Sequence, residues 1–596
     1  MSNQNNDMFS SKVLGHPSGL FVLFFTEMWE RFSYYGMRAL LVLFLTASIL
    51  DGGWGWDGAN ASVLFGTYVS LVYLSTMMGG YFADRVMGYR RAVVVGALLM
   101  TAGHAAMAIE TEWSIYLGLI LLVFGNGFFK PNMTSIISHM YKDFPEKKDG
   151  AYTIFYMGVN AGAFLGILLC GYLGEKVGWG IGFGLAGIFM LFGMLQFWFT
   201  QNIFGDIGLK PVKEEKSLDD TKELLDHQDV TDEEVAANPE AEPRNPFPAW
   251  QMVLIAIMST IGLVWVVNDP MSKIYGVNML NFEIAGVSGS LITILTGLLM
   301  FIVVLVYRLL KYTKVTMQKM IAVSFFAFLT IFFWAIFEQS PNTLTTFARD
   351  YTDRSLEGSA GMIFNIINSL ITIIPLGIIT WVLIKLFGQT FAKYKLGNII
   401  LAMSFLIVWG VAIWMLYSEF QKDSSDVPAS WFSVLNSLFI ITLAPLFSKW
   451  WESKYNPSAN MKYGIGLVLL GLGMACVAWG ASGIAPGAKT ASVSMVWLVL
   501  VYFFHTMGEL CISPVGLSYV SKLVPGRMIA FMFGVWYLAV AIGNKAAGIF
   551  GESAEGIAKS DGISYFFWIL TAIPVALGVL SILLTPVIKK LMHGVK

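Results

Sequence analysis

The chain has 596 residues, 56% of them hydrophobic and only 13% charged, with a mean hydropathy of +0.66, and these values exclude a soluble globular protein of this size. A formal net charge of −1, with no basic cluster and no stacking-aromatic module, argues against a nucleic-acid partner. What remains is an all-α polytopic membrane protein whose surroundings are the lipid bilayer.

The first 17 residues are polar and the first apolar run carries Glu and Arg, so no cleavable signal peptide is expected. Crossing a hydrocarbon core of about 30 Å takes roughly 20 residues per helix. Sixteen stretches qualify. Six are expected at 18–49, 61–84, 91–110, 113–139, 150–174 and 179–203, and five more at 249–269, 286–311, 317–340, 360–387 and 397–418. The last five fall at 430–452, 461–482, 493–523, 527–551 and 563–590. Residues 206–248 form the one long polar insertion, rich in carboxylates and poor in aromatics, and are expected to be a disordered acidic cytoplasmic linker between the halves. Cys170, Cys476 and Cys511 sit in apolar runs without metal-ligand spacing, so no metal site is expected.

Loop charge sets the orientation, because short cytoplasmic loops are enriched in Lys and Arg. With the N-terminus inside, the inner loops hold Arg85, Arg90 and Arg91, then Lys142, Lys147 and Lys148, and later Lys385, Lys393 and Lys395. An even number of spans returns the C-terminus, with Lys589, Lys590 and Lys596, to the same side.

The first span contains four ionisable side chains, Glu27, Glu30, Arg31 and Arg38, where each charge near the bilayer centre costs about 2.5 to 3.5 kcal/mol on insertion scales. At 100° per residue these four share one helix face, an arc of about 140°, with Tyr34 and Tyr35. Such a face is either a self-neutralised structural salt bridge or part of a polar pathway. Leu23, Trp29 and Leu40 lie elsewhere on the helix, free to meet lipid or neighbouring helices.

Further polar groups recur inside later spans. Lys130 and Glu338 are opposite charges in different halves, able to pair when the halves close on one side and to part when they open. Pro131 frees a carbonyl in the preceding turn, and Asn160 and Asn436 each offer a donor and an acceptor suited to a peptide backbone. Glu509 has no cation near it in sequence, and Lys545 lies close enough to a span end to join the same network. Glu27, Glu30, Glu338 and Glu509 stand against Arg31, Arg38 and Lys130, so one proton neutralises the set. His104 and His505 are expected to be hydrogen-bonded structural histidines.

Gly79-Gly80-Tyr81-Phe82-Ala83-Asp84-Arg85, followed by Gly88, Arg90 and Arg91, resembles the cytoplasmic loop signature of the major facilitator superfamily, with Asp84 placed to cap or meet a helix N-terminus. Glu27-x-x-Glu30-Arg31-Phe32 with Tyr34-Tyr35-Gly36 resembles the first-helix signature of the proton-dependent oligopeptide transporter family within it. Gly127-Phe128-Phe129-Lys130-Pro131-Asn132, Phe155-Tyr156 through Asn160 and Gly162, Phe333-Trp334 with Phe337-Glu338-Gln339, and Gly508-Glu509 through Ser513-Pro514 and Gly516 resemble its later motifs, in family order.

The resemblance implies a major facilitator fold: two six-helix bundles around a central cavity, at about 1–205 and 317–596, a linker helix pair at 249–316, and a second inserted pair at about 360–418. It implies proton-coupled uptake of di- and tripeptides by alternating access, with no cofactor beyond the proton gradient and no enzymatic activity. The partners it implies are peptides and protons, in a monomer or weak homo-oligomer of the inner (plasma) membrane with both termini cytoplasmic. Peptide carboxylates are expected at Arg31, Arg38 and Lys130, near Tyr34, Tyr35 and Tyr68; ammonium groups at Glu509, helped by Asn160, Asn436 and Ser513, with Trp536 lining the cavity. Glu27, Glu30, Arg31, Lys130 and Glu338 would handle the proton and the salt-bridge gate. Two departures stand out: Gly66 where animal members carry histidine, and Ser437 where a proline is usual after Asn436. The alternative within the superfamily is a proton-coupled carrier of another anionic solute, nitrate or a carboxylated metabolite. Against a membrane-embedded enzyme, no metalloprotease His pair, nucleophile elbow or phosphate loop occurs.

Overall fold

The computed structural model describes residues 11–210, 247–524 and 529–595, so most of the expected acidic tether, 211–246, lies outside the described residues. Among the described residues sixteen helices have 19 residues or more. The first six are α1 (Ser18–Thr46), α2 (Gly58–Phe82), α3 (Tyr89–Met107), α4 (Glu112–Met140), α5 (Pro145–Lys176) and α6 (Trp179–Thr200). There follow α7 (Ala249–Ile274), α8 (Gly289–Leu309), α9 (Lys314–Phe337), the short α10 (Thr343–Asp350), α11 (Gly358–Thr390) and α12 (Lys395–Phe420). The last are α13 (Val434–Glu452), α14 (Ala459–Gly480), α15 (Val496–Leu523), α16 (Ile529–Ser560), α17 (Ile563–Leu583) and the short α18 (Thr585–Leu591). Fourteen are long and apolar enough to cross a membrane. The other two are α1, which carries the four charges, and α3, which opens on Tyr89-Arg90-Arg91. The expected last span, 563–590, is broken into α17 and α18 because Pro586, in the first turn of α18, has no N–H to continue the helix.

Helices α1 to α6 pack on one another, with α1 against α5 and α6, α3 against α4 and α6, and α2 against α4. A second bundle is built from α9 and α13 to α17, through the pairs α9–α16, α14–α17, α14–α15 and α13–α15. Two seams join the bundles, α2 against α16 and α5 against α13.

The extra helices occupy particular places on this frame. The hairpin α7–α8 lies on α2. The hairpin α11–α12 follows α9 in the chain yet packs on the other bundle, with α12 against α6 and α5, and α11 touching α1. Phe405 of α12 meets Phe25 at 5.6 Å and Trp29 at 5.5 Å between ring centroids. Its base is closed by an antiparallel ribbon, Ser355–Glu357 with Ser424–Asp426. This cover explains why every residue of α1 except Tyr35 and Thr46 is buried, so that Leu23, Trp29 and Leu40 meet protein rather than lipid.

The α1–α5 contact is set by small residues. A Cβ on Gly162 would stand 2.1 Å from the Met28 carbonyl oxygen, and one on Gly166 2.2 Å from that of Phe32. Backbone therefore meets backbone one turn apart on both helices, the close approach that small residues permit in lipid. At the seam, a Cβ on Gly66 of α2 would lie 2.6 Å from the Cα of Gly548 in α16. This gives the departure at Gly66 a physical reason, since a histidine has no room in this packing.

Gly162→Ala is therefore expected to lower thermal stability in detergent by the about 1 to 3 kcal/mol typical of overpacking, or more. Gly262→Ala, in α7 with nothing within 4 Å of the added carbon, is expected to leave it unchanged or slightly higher. Similar melting temperatures for the two variants would contradict the packing account.

Candidate functional site

The polar face of α1 is buried against α4 of its own bundle and reaches Glu338 of the other, and its charges are shared out unequally. Arg31 Nε lies 2.7 Å from Glu27 Oε1 and 2.8 Å from Glu30 Oε2, so one guanidinium serves two carboxylates. The second oxygen of Glu30 accepts from Asn126 Nδ2 of α4 at 3.0 Å. Glu30 is fully buried. The trio carries a formal charge of −1 that nothing within it cancels.

One turn or two further on, Arg38 pairs across the bundles with Glu338 at the end of α9, Nη2 to Oε2 3.0 Å. In this state the partner of Glu338 is therefore Arg38, while Lys130, expected to pair with Glu338 in one state and to part from it in the other, is not paired with it. Arg38 also sits 5.8 and 5.4 Å from the ring centroids of Tyr34 and Tyr35, whose rings meet edge to face at 5.2 Å. Lys130 takes part in no ion pair among the described residues. Its amine lies over the Tyr73 ring of α2 at 4.5 Å, and the residue is half-buried. The carbonyl that Pro131 leaves without a donor is that of Gly127, and there α2 comes closest, a Cβ on Gly79 falling 2.0 Å from it.

In the second bundle Glu509 of α15 is half-buried and accepts from Asn436 Nδ2 of α13 at 2.9 Å. Asn436 also reaches Thr506 Oγ1 at 3.1 Å. Glu509 thus has a neutral partner and no cation among the described residues. Asn160 is buried and donates to the Tyr156 carbonyl at 2.9 Å, the Tyr68 hydroxyl is buried without a partner, and Ser513 is half-buried on α15.

Other expectations change. Lys545 is not part of this cluster; it pairs with Asp269 of α7. Trp536 is buried against Gly516, where a Cβ would lie 2.2 Å from its ring, so it packs rather than lines open space. Both ring nitrogens of His104 are buried without a hydrogen-bond partner, contrary to the expectation for it, whereas His505 is buried beside the Leu470 backbone. Asp84 and Arg85 are exposed; α3 begins at Tyr89 after Gly88 with no side-chain cap, and Asp84 meets this helix start through a hydrogen bond with the Tyr89 side chain. The loop is held by Arg90, which is buried and donates to the carbonyls of Ile207, at 2.6 Å, and Gly205. Sequence reasoning passed over Asn126 and Tyr73, and read Arg90 only as loop charge. Asn126 and Arg90 carried a signal, a polar side chain one turn from Lys130 and the second basic residue of the loop motif.

A family model described as the POT family matches residues 90–218 and 410–559. A peptide transporter of Yersinia enterocolitica, YePEPT, is 29% identical over 606 aligned residues, covering 100% of this chain and 99% of that protein. A di-/tripeptide transporter of Lactococcus lactis is 28% identical, with both chains covered over 100% of their length. The crystal structure of a peptide transporter POT in complex with sulfate superposes with a TM-score of 0.69 at 29% identity, over 100% of each chain.

Over its whole length the chain is similar to peptide transporters of the POT family. Its fold is the two-bundle major facilitator fold, and the α1 signature Glu27-x-x-Glu30-Arg31 that carried the resemblance is the trio described above.

Removing either member of the Arg38–Glu338 pair leaves a buried charge without its partner, a loss of typically about 3 to 5 kcal/mol. Arg38→Ala and Glu338→Ala are each expected to destabilise the protein strongly in detergent melts. The exchange Arg38→Glu with Glu338→Arg is expected to recover a large part of the loss. A double variant no more stable than the worse single one would contradict a direct pair.

Proposed function

We propose that this chain carries di- and tripeptides across a cell membrane together with protons, opening alternately to either side. The observation that carries the reading is the pair of charges left without ionic partners among the described residues, Lys130 in the first bundle and Glu509 in the second. A zwitterion supplies both missing partners at once. An extended chain spans about 3.3 to 3.6 Å per residue, so fixed charges on two bundles select for length more than for side chains. The family match and the names of the related transporters agree with this substrate class.

Proton coupling follows from the charge count at α1. While Lys130 has no other partner, its positive charge balances the nearby Glu27–Glu30–Arg31 trio. A peptide carboxylate that engages Lys130 takes this balance away, and a proton on Glu30 restores it. The Arg38–Glu338 pair, made between bundles, is the contact that must part for the opposite opening. The chemistry is transfer without a covalent step, which is the behaviour of a carrier and not of an enzyme. The Lys- and Arg-rich loops support an orientation with both termini on the cytoplasmic side. Residues 338–350 and 548–560 then lie toward the outside.

In proteoliposomes, uptake driven by an imposed proton gradient is expected to be inhibited by Ala-Ala and Ala-Ala-Ala, and little by free alanine or tetra-alanine. N-acetylation of the dipeptide should weaken inhibition in the wild type and much less in Glu509→Gln. An equal acetylation penalty in both would remove Glu509 as the ammonium site. Glu30→Gln is expected to abolish gradient-driven accumulation while keeping counterflow exchange of labelled peptide. Wild-type accumulation by that variant would make Glu30 structural.

A further inference from the structure

The hairpin α7–α8 is tied to the outer half of the molecule by charges that no packing argument requires. Lys545 of α16 is 3% exposed and sits three residues from Gly548, the point at which α16 touches α2. Its amine donates to Thr67 Oγ1 of α2 at 2.7 Å and forms an ion pair with the carboxylate of Asp269 in α7. Asp269 is also paired with Lys273 one turn on, at 2.8 Å, and Lys273 reaches Glu552 of α16 at 2.6 Å. Two ion pairs of opposite sense therefore pin α7 to α16. On its other side the same helix end holds the first bundle, since the Tyr275 hydroxyl donates to Glu112 Oε1 at the start of α4 at 2.6 Å.

This arrangement makes seam closure conditional on a charge carried by the linker hairpin. With α2 and α16 packed together, Lys545 has no water-filled space around it and depends on Asp269 for its counter-charge. When the bundles part on that side, Thr67 leaves with α2 and water can reach the amine. We propose that Asp269 and Lys545 form a latch of the outer gate, so that the linker hairpin takes part in the transport cycle by stabilising the outward-closed state. Asp269 and Lys545 act as positioning residues, and they touch no substrate. The role rests on the alternating opening proposed above, but its test needs no substrate and stands whatever the chain carries.

The experiment is a spin-label distance measurement on the full chain in lipid nanodiscs, with labels at Leu50 and Ser560, exposed positions at the outer end of the first and second bundle. In Asp269→Asn the buried amine loses its counter-charge in the closed state only. The open-to-closed ratio is expected to rise about tenfold or more. Adding Lys545→Gln removes the stranded charge and is expected to return the distribution to that of the wild type. A merely structural ion pair would lower stability without this reversible shift in distance. An unchanged distribution in Asp269→Asn, or a shift that Lys545→Gln does not reverse, would overturn the proposal. Should Asp269→Asn fail to fold, the exchange Asp269→Lys with Lys545→Asp, which keeps a pair, serves in its place. A closed distribution for the exchange supports the latch, and an open one overturns it.

Discussion

Charge in a low-dielectric interior has to be answered by charge, and much of this molecule is arranged around that requirement. Four ionisable side chains on α1 are tolerated because α1 does not face lipid at all. The glycines of α5 bring its backbone against one side, α6 covers another, and the aromatic surface of α12 closes the rest. Among the described residues Arg31 is shared by two carboxylates, Arg38 is satisfied across the bundles, and Lys130 and Glu509 have no ionic partner. Under the proposed function specificity comes from what is missing, because a ligand that supplies only one charge leaves the other stranded.

The two inserted hairpins follow from the same requirement seen from outside the bundles. Each is associated with one of the two seams. The first hangs on α2 and α16 through Thr67, Lys545 and Asp269. The second lies by the α5–α13 seam, where Tyr172 of α5 donates to the buried Glu419 of α12 at 2.7 Å. There Glu175 of α5 also accepts from Ala429 N at 2.8 Å and from Ser430 Oγ at 2.6 Å, just ahead of α13. A hairpin entered from the second bundle and seated on the first is strapped across the joint it covers. Relative motion of the bundles has to be absorbed in its connections, 351–357 and 421–433, and not in its packing.

What the sequence made legible was periodic or charged. Hydropathy placed all sixteen long helices, including α1 and α3, whose charges lower their mean hydropathy, and the motifs brought Glu27, Glu30, Arg31, Lys130, Glu338 and Glu509 into view. Partners were less legible, because pairing is decided by rotation about helix axes that no one-dimensional pattern contains. Glu338 has two candidate cations in the first bundle, and only the three-dimensional arrangement of the bundles selects Arg38. The same holds for Lys545, whose partner Asp269 lies 276 residues away on a hairpin that sequence alone gives no place in space. Trp536 looked like a cavity-lining residue by its motif position, and the structure surrounds it with protein; His104 and His505, read as structural, are buried as that role requires.

The central claim is that peptide binding withdraws Lys130 from the carboxylate trio of α1 and that a proton takes its place. Calorimetric titration of the purified protein with Ala-Ala near neutral pH, repeated in buffers of different ionisation enthalpy, counts the protons exchanged on binding. The account predicts net uptake approaching about one proton per peptide in the wild type and none in Glu30→Gln. Binding with no linked proton in the wild type, or undiminished uptake in Glu30→Gln, would contradict it.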